Sequence, residues 1–308
     1  MPQLASSKPY AAITLGSNSF NMMVASTIAG KPHVIAKYKR KVRLAEGIGA
    51  DGLLNEEVMQ RGLACLSMFA QMLKQHQITA DNVAVIATAA LRTISNVDEF
   101  HQRSLPILGH PIEVISGLRE AELIYQGMVA TTAGQGKRLV IDIGGASTEF
   151  IIGEGKKVLF KTSLPFGGVL FNQQFFNRAP YQMLDFEQAK QAVELILTES
   201  ISELIAHGWD CVVGASGVVQ SVVSVLQHRK QSEVITLAVL QSLKAEVLSQ
   251  ADQSLSGIKG LSAEKAPTFA SGVAILLALF ELLSINSLNL AGGALREGVL
   301  HMLANRQA

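Results

Sequence analysis

Two copies of one short pattern, far apart in the chain, limit what it can fold into. The clearer copy is residues 139–153, LVIDIGGASTEFIIG. An apolar run over 139–143 meets small residues at Gly144, Gly145 and Ala146. Ser147, Thr148 and Glu149 then lead into a second apolar run over 150–152. Two apolar runs around a glycine pair read as a β-hairpin. Its turn exposes consecutive backbone N–H groups beside small hydroxyls, and such a concavity binds anions, phosphate above all. Asp142 and Glu149 flank the same turn with oxygen ligands suited to a divalent cation. One copy alone is equally well explained by a hairpin that needs glycine only for its turn. The second copy shifts the balance. In residues 11–24, Ile13 matches Ile141, Gly16 matches Gly144 and Ser19 matches Ser147, an offset of 128 positions. That period is too long for a solenoid. It suits two related half-molecules, each offering one turn to a phosphate chain in a shared cleft: Gly16, Ser17, Asn18 and Ser19 in the first, 144–148 in the second. The match fails at one informative place, because Thr14 stands where the second copy has Asp142.

A chain of 308 residues holds two domains or one large one with ample core. A net charge of +1 gives no whole-molecule signal for nucleic acid or membrane, and neither is expected as a partner. The two cysteines, Cys65 and Cys211, lie far apart in apolar surroundings without metal-ligand spacing. They read as reduced core residues of a cytoplasmic protein. No signal peptide is expected at the N-terminus. The most apolar segment, 273–283, has 11 residues including Glu281, against the roughly 20 that a membrane span needs. It reads as a buried helix.

Hydrophobic periodicity predicts strands over 10–15, 20–28 and 32–44, a helix over 56–75 capped by Asn55, and strands over 83–87 and 111–115. A helix starts near 116. A polar break at 134–137 is the best interdomain candidate. A third strand over 156–164 follows the central hairpin. A long helix over 185–207 and a strand over 209–213 come next, the strand running into Gly214-Ala-Ser-Gly217. Helices over 236–251 and 262–285, a short strand over 288–290 and a terminal helix complete the chain. Three strands followed by alternating helices and strands occur in both halves, which implies an α/β fold with mixed sheets and a cleft between lobes. Ligands in such folds sit at the carboxyl ends of strands, where these small-residue turns fall. The third strand carries Lys37, Lys39, Lys41 and Arg43 at period two, hence on one face. They form either a cationic track for a polyanion or a solvated strand face whose lysines guard an edge, and the edge reading is the commoner.

If phosphates lie across the two turns, hydrolysis needs an oriented water and positive charge over the phosphoryl oxygens. Glu120, in the first turn of the helix after Ile115, is the candidate for the water. The helix dipole alone also favours an acid there, by about 0.3–1 kcal/mol. Glu122 lies about 200° around the helix, so both carboxylates cannot face the site. Arg92 follows a strand and suits bidentate phosphate contact; it is equally well placed as a surface arginine. Arg296 and Glu297, after a glycine pair, fit a structural role at the start of the last helix. Seven scattered histidines give no zinc or nucleophile cluster.

The segments LGSNSF (15–20), LRTISN (91–96), ISGLREAELIYQG (115–127), IDIGGASTE (141–149), GASG (214–217) and GGALREGVL (292–300) together resemble the exopolyphosphatase / guanosine pentaphosphate phosphatase (Ppx/GppA) family in its short two-domain form. The resemblance spans nearly the whole chain. It implies two ribonuclease-H-like lobes of the actin-like, acetate and sugar kinase superfold with an interlobe cleft. The lobes would span 1–128 and 129–308, with the last helix free to pack back on the first. The implied activity is Mg²⁺-dependent release of terminal phosphate from polyphosphate or pppGpp, in a cytoplasmic protein that forms a homodimer. Glu120 would be the catalytic base, Arg92 a phosphate ligand, and Asp142 and Glu149 metal ligands. Gly16, Ser17, Asn18, Ser19, Gly144, Gly145, Ala146, Ser147, Thr148, Gly214, Ser216 and Gly217 would bind phosphate. The chain departs from the family pattern at Thr14, at Arg119, at Ala146 and at Gly292. Thr14 replaces an Asp that helps to hold the metal. Arg119 replaces a Glu and adds positive charge beside Glu120, which would lower that residue's pKa. Ala146 replaces a glycine and Gly292 an acid. Two acids lost around the metal site, at Thr14 and Gly292, leave room for a rival: a catalytically impaired homologue that binds polyphosphate or an alarmone for regulation. A sugar- or acyl-phosphate kinase on the same superfold is a third reading.

Overall fold

Strand β1 (Tyr10–Leu15) is buried along its whole length because helices cover both faces of the sheet it centres. In this computed structural model, which describes residues 8–307, β1 pairs antiparallel with β2 (Ser19–Ile28), and β2 with β3 (Lys31–Lys41). On its other side β1 pairs parallel with β4 (Val83–Ala87), and β4 with β5 (Glu113–Val114), giving the order β3-β2-β1-β4-β5. Ile13, Leu15, Phe20, Met22 and Val85 face α1 (Glu56–Gln75) and α3 (Val97–Leu108). Tyr10, Ala12, Met23 and Ile86 face α4 (Gly117–Thr131) and α10 (Leu295–Gln307). The short helix α2 (Ala89–Thr93) follows β4.

The second sheet repeats this plan. Strand β6 (Lys137–Ile143) pairs antiparallel with β7 (Thr148–Glu154), and β7 with β8 (Lys157–Leu164). Parallel β9 (Cys211–Gly214) and β10 (Asn289–Leu290) lie on the other side, so the order is β10-β9-β6-β7-β8. Helices α5 (Gly168–Phe175), α6 (Met183–His207), α7 (Gly217–His228), α8 (Leu237–Leu248) and α9 (Phe269–Leu282) complete it. Helix α9 is apolar all round and packs against α5, α6, α7 and α8, the position such a helix must take. Two compact units result. One runs to Thr131 and resumes at Gly293 with α10; the other is Thr132–Gly292. Each has the strand order of a ribonuclease-H-like lobe.

Most predicted elements are present. The strand expected over 111–115 is reduced to two edge residues. The helix expected from 262 begins at Phe269, because Pro267 limits the chain before it to one 3₁₀ turn. Helices α3 and α5 were not read from the sequence. Cys65 is buried and Cys211 half-buried, both as free thiols. Burial pushes the Cys65 thiol up to about 12. No helix among the described residues is long and apolar enough to cross a membrane.

Candidate active site

In the first unit the hairpin turn after β1 is closed by Gly16 N–H donating to the Ser19 carbonyl at 3.1 Å. The chain after β3 holds it from the other side. Arg43 N–H donates to Asn18 O at 2.9 Å and Ala45 N–H to Ser17 O at 3.0 Å. In a planar trans peptide the N–H points opposite to the C=O. The amides of Asn18 and Ser19 therefore point away from residues 43–45, as an anion-binding turn requires. Ser17 is buried and Arg43 adopts a left-handed conformation, φ 56°.

At the same end of this sheet, the carboxyl ends of β4 and β5 bring Arg92 and Glu120 together. Arg92 Nη1 donates to the Ile115 carbonyl at 2.7 Å and lies 3.5 Å from Glu120 Oε2. Glu120 sits in the first turn of α4, its N–H bonded to Ser116 O, and is only 7% exposed. The charge set beside Glu120 is thus that of Arg92. Arg119, expected to supply it, instead pairs with Glu122 at 2.8 Å, since residues three apart share a helix face. Glu297 accepts from Ala294 N–H at 2.8 Å, closing the start of α10 in the structural role expected.

The turn of the second unit is built the same way. Gly144 N–H donates to Ser147 O at 2.8 Å. The first amides of α5 take the turn's carbonyls: Gly168 N–H to Gly144 O at 2.9 Å, and Val169 N–H to Gly145 O at 2.9 Å. The amides of Gly145 and Ala146 consequently point away from α5. Gly167 lies against this turn so closely that a Cβ would meet Gly144 O at 2.6 Å. The sequence reading missed Gly167; its signal was the Gly167-Gly168 pair just past the third strand. Thr148 donates its hydroxyl to Phe166 O at 2.8 Å, which ties the hairpin to the same segment.

Asp142 and Glu149 are direct cross-strand partners in the β6–β7 register, so both carboxylates occupy one face of the sheet. Glu149 is 1% exposed and accepts from Ser163 Oγ at 2.7 Å. No group of three or more His, Cys, Asp or Glu poised for a metal occurs among the described residues. Mg²⁺, however, keeps several waters and is commonly held by one or two carboxylates plus substrate phosphates. A facing pair of carboxylates, Glu149 buried and Asp142 half-buried, fits that ion. In the first unit the matching pair is Thr14 with Asn21, both neutral. At the same end of the second sheet, Ser216 caps α7 by accepting from Val219 N–H at 3.4 Å. Gly217 is open beside it, whereas Gly214 is packed against Val219 and Leu288.

Two ribonuclease-H-like units, each closing its first hairpin with a tight glycine turn, place the chain in the actin-like, acetate and sugar kinase fold class. Within that class the assignment is specific. The Ppx/GppA phosphatase family model matches residues 23–307, and the chain belongs to this family. It is 46% identical over 301 residues to a guanosine-5'-triphosphate,3'-diphosphate pyrophosphatase of Vibrio vulnificus, covering 98% of this chain and 60% of the relative. A protein of the same name from Aliivibrio fischeri is 45% identical, with 95% and 58% covered. The chain therefore spans about three fifths of the length of these curated relatives. Among solved structures, an exopolyphosphatase from Cytophaga hutchinsonii superposes with a TM-score of 0.87 at 25% identity, over 97% of this chain and 98% of that one. The Aquifex aeolicus Ppx/GppA family member shares the fold with a TM-score of 0.79 at 23% identity, over 97% and 98%.

Proposed function

We propose that this chain is a cytoplasmic hydrolase that releases the terminal phosphate of an oligophosphate, inorganic polyphosphate or pppGpp, by water attack on the phosphoanhydride. The observation that carries the reading is the pairing of a nearly buried Glu120 with Arg92 at the sheet end that also bears the 16–19 turn. The names of the curated relatives support pppGpp, and that of the Cytophaga structure supports polyphosphate.

In this mechanism the amides of Asn18, Ser19, Gly145 and Ala146 bind phosphate oxygens, with Ser17, Ser147 and Thr148 shaping the turns. Glu120 orients the water and takes its proton as the oxygen attacks. Arg92 holds the Glu120 carboxylate and offsets charge gathering on the phosphoryl oxygens. Asp142 and Glu149 would hold Mg²⁺, which when bound neutralises charge on the anhydride. Orthophosphate release from polyphosphate and from pppGpp with Mg²⁺ tests the reading. Glu120→Gln is expected to lower kcat by about 10²–10⁴-fold. No release from either substrate by folded wild-type protein would overturn it.

A second reading, a regulatory homologue that binds without turnover, is favoured by one observation: the neutral Thr14–Asn21 pair opposite in character to Asp142–Glu149. Saturable polyphosphate or pppGpp binding with release at background selects it. Thr14→Asp then reports its origin, since regained turnover marks a decayed catalyst.

A further inference from the structure

Strand register aligns the two sheets row by row. In the second unit the row one step before the turn reads Asp142, Glu149, Ser163 across β6, β7 and β8. In the first unit the same row reads Thr14, Asn21, Lys39 across β1, β2 and β3. One row carries two negative charges and the other a single positive one. The inversion continues toward the turn. Lys41 is the partner of Ser19 in the turn itself, whereas Pro165 occupies the corresponding place beyond β8. Lys39 is exposed and Lys41 half-buried, on the sheet face that carries Thr14 and Asn21. Directly after them, residues 43–45 donate the two backbone hydrogen bonds that hold the Ser17–Asn18 segment.

Guarding an edge does not account for this charge. Strands β3 and β8 are both edge strands of equivalent position. Strand β8 carries Lys161 in the row that Lys37 occupies, then Thr162, Ser163 and Leu164 with no basic residue, so edge position accounts for a lysine in that row and not for the two nearer the turn. The cationic end of β3 pairs with Ser19 of the turn and continues into the segment that holds it, so a ligand seated in that turn has two ammonium groups on the neighbouring strand.

We propose that Lys39 and Lys41 form a second phosphate subsite, which binds phosphate groups of the substrate beyond those seated in the glycine turns. The inference rests on the function proposed above and names its specificity element: an extended oligophosphate or a second diphosphate group gains affinity here, and a short phosphate does not. Ammonium groups act as point charges on phosphate, so the contribution is strong at low salt and screened as ionic strength rises.

Equilibrium binding tests this in a Glu120→Gln background, which blocks turnover. The probes are pyrophosphate, long-chain inorganic polyphosphate, pppGpp and GTP. Adding Lys39→Ala and Lys41→Ala is expected to weaken long-chain polyphosphate binding by about tenfold or more at low salt and to flatten its salt dependence, with pyrophosphate affinity changed less than about twofold. Lys39→Arg with Lys41→Arg should keep the affinity. A loss on pppGpp but not on GTP identifies the 3'-diphosphate as the occupant; a loss on polyphosphate alone identifies the trailing chain. Unchanged affinity for both polyphosphate and pppGpp, or an equal loss on pyrophosphate, overturns the subsite. Absent turnover in wild-type protein would sink the hydrolase reading while leaving this binding result to stand or fall by itself.

Discussion

Arg92 and Glu120 are separated by 28 residues in sequence, yet each makes the other's environment. The guanidinium uses Nη1 both to bond the Ile115 carbonyl and to approach the Glu120 carboxylate, which fixes the start of α4 as well as its acid. A lysine has one compact donor head, with no second nitrogen left to aim at a phosphate oxygen while the first holds both partners. Arg92→Ala is expected to cost about 10²-fold or more in kcat for phosphate release, the typical loss of one donor aimed at developing charge. The same variant should lose about 1–3 kcal/mol of stability, since it takes the cation from a nearly buried carboxylate. Steady-state kinetics beside urea unfolding distinguishes the two; parallel losses would assign Arg92 to the fold alone. Arg92→Lys should recover stability before activity. At this scale the sequence singled out Glu120 and Arg92 as candidates but did not show which cation faced Glu120. Arg119 is adjacent in the chain, but helix geometry sends it to Glu122.

Among the elements, α4 and α10 show how tightly the proposed catalytic helix is held. A Cβ on Gly127 would lie 1.9 Å from the Ala294 carbonyl oxygen, and one on Gly298 at 1.9 Å from that of Leu123. Each glycine lets the other helix's backbone approach, and both obstacles are main chain, so neither yields by a rotamer change. Gly127→Ala is expected to destabilise the protein by about 2 kcal/mol or more, toward the upper end of overpacking costs. Chemical denaturation measures it; a change below about 0.5 kcal/mol would show that the helices separate freely. Strands and the long helices were legible because period two and period 3.6 are strong signals: α1 begins and ends at the residues its pattern and Asn55 cap predicted. Helices α3 and α5 escaped for physical reasons. Helix α3 is amphipathic but contains Pro106, which reads as a helix break, and α5 opens on two glycines. Tertiary contacts, such as the bonds from Gly168 and Val169 to the turn carbonyls, stabilise α5.

Over the whole chain, duplication is the organising fact, and it could be read from 128-residue spacing before any coordinates. What the spacing could not provide is register. Only the paired strands show that Asp142 faces Glu149 and Thr14 faces Asn21, so that one unit keeps an acidic pair and the other a neutral one. The acidic pair makes a prediction whose sign depends on the metal. Like charges directly opposite on a sheet destabilise it by roughly 0.2–1 kcal/mol, and the penalty vanishes when a cation lies between them. Asp142→Asn or Glu149→Gln should therefore raise the melting temperature slightly in the presence of a chelator. The same variants should lose the stabilisation that Mg²⁺ gives the wild type, and should need about tenfold or more Mg²⁺ for half-maximal phosphate release. For Glu149→Gln the bond from Ser163 survives, since an amide oxygen still accepts it, so a fall in chelator stability there cannot be blamed on a broken hydrogen bond. Thermal unfolding with EDTA and across a Mg²⁺ titration reads both signs in one experiment. If both variants melt lower than wild type under chelation and respond to Mg²⁺ as wild type does, the pair is structural and the cation lies elsewhere.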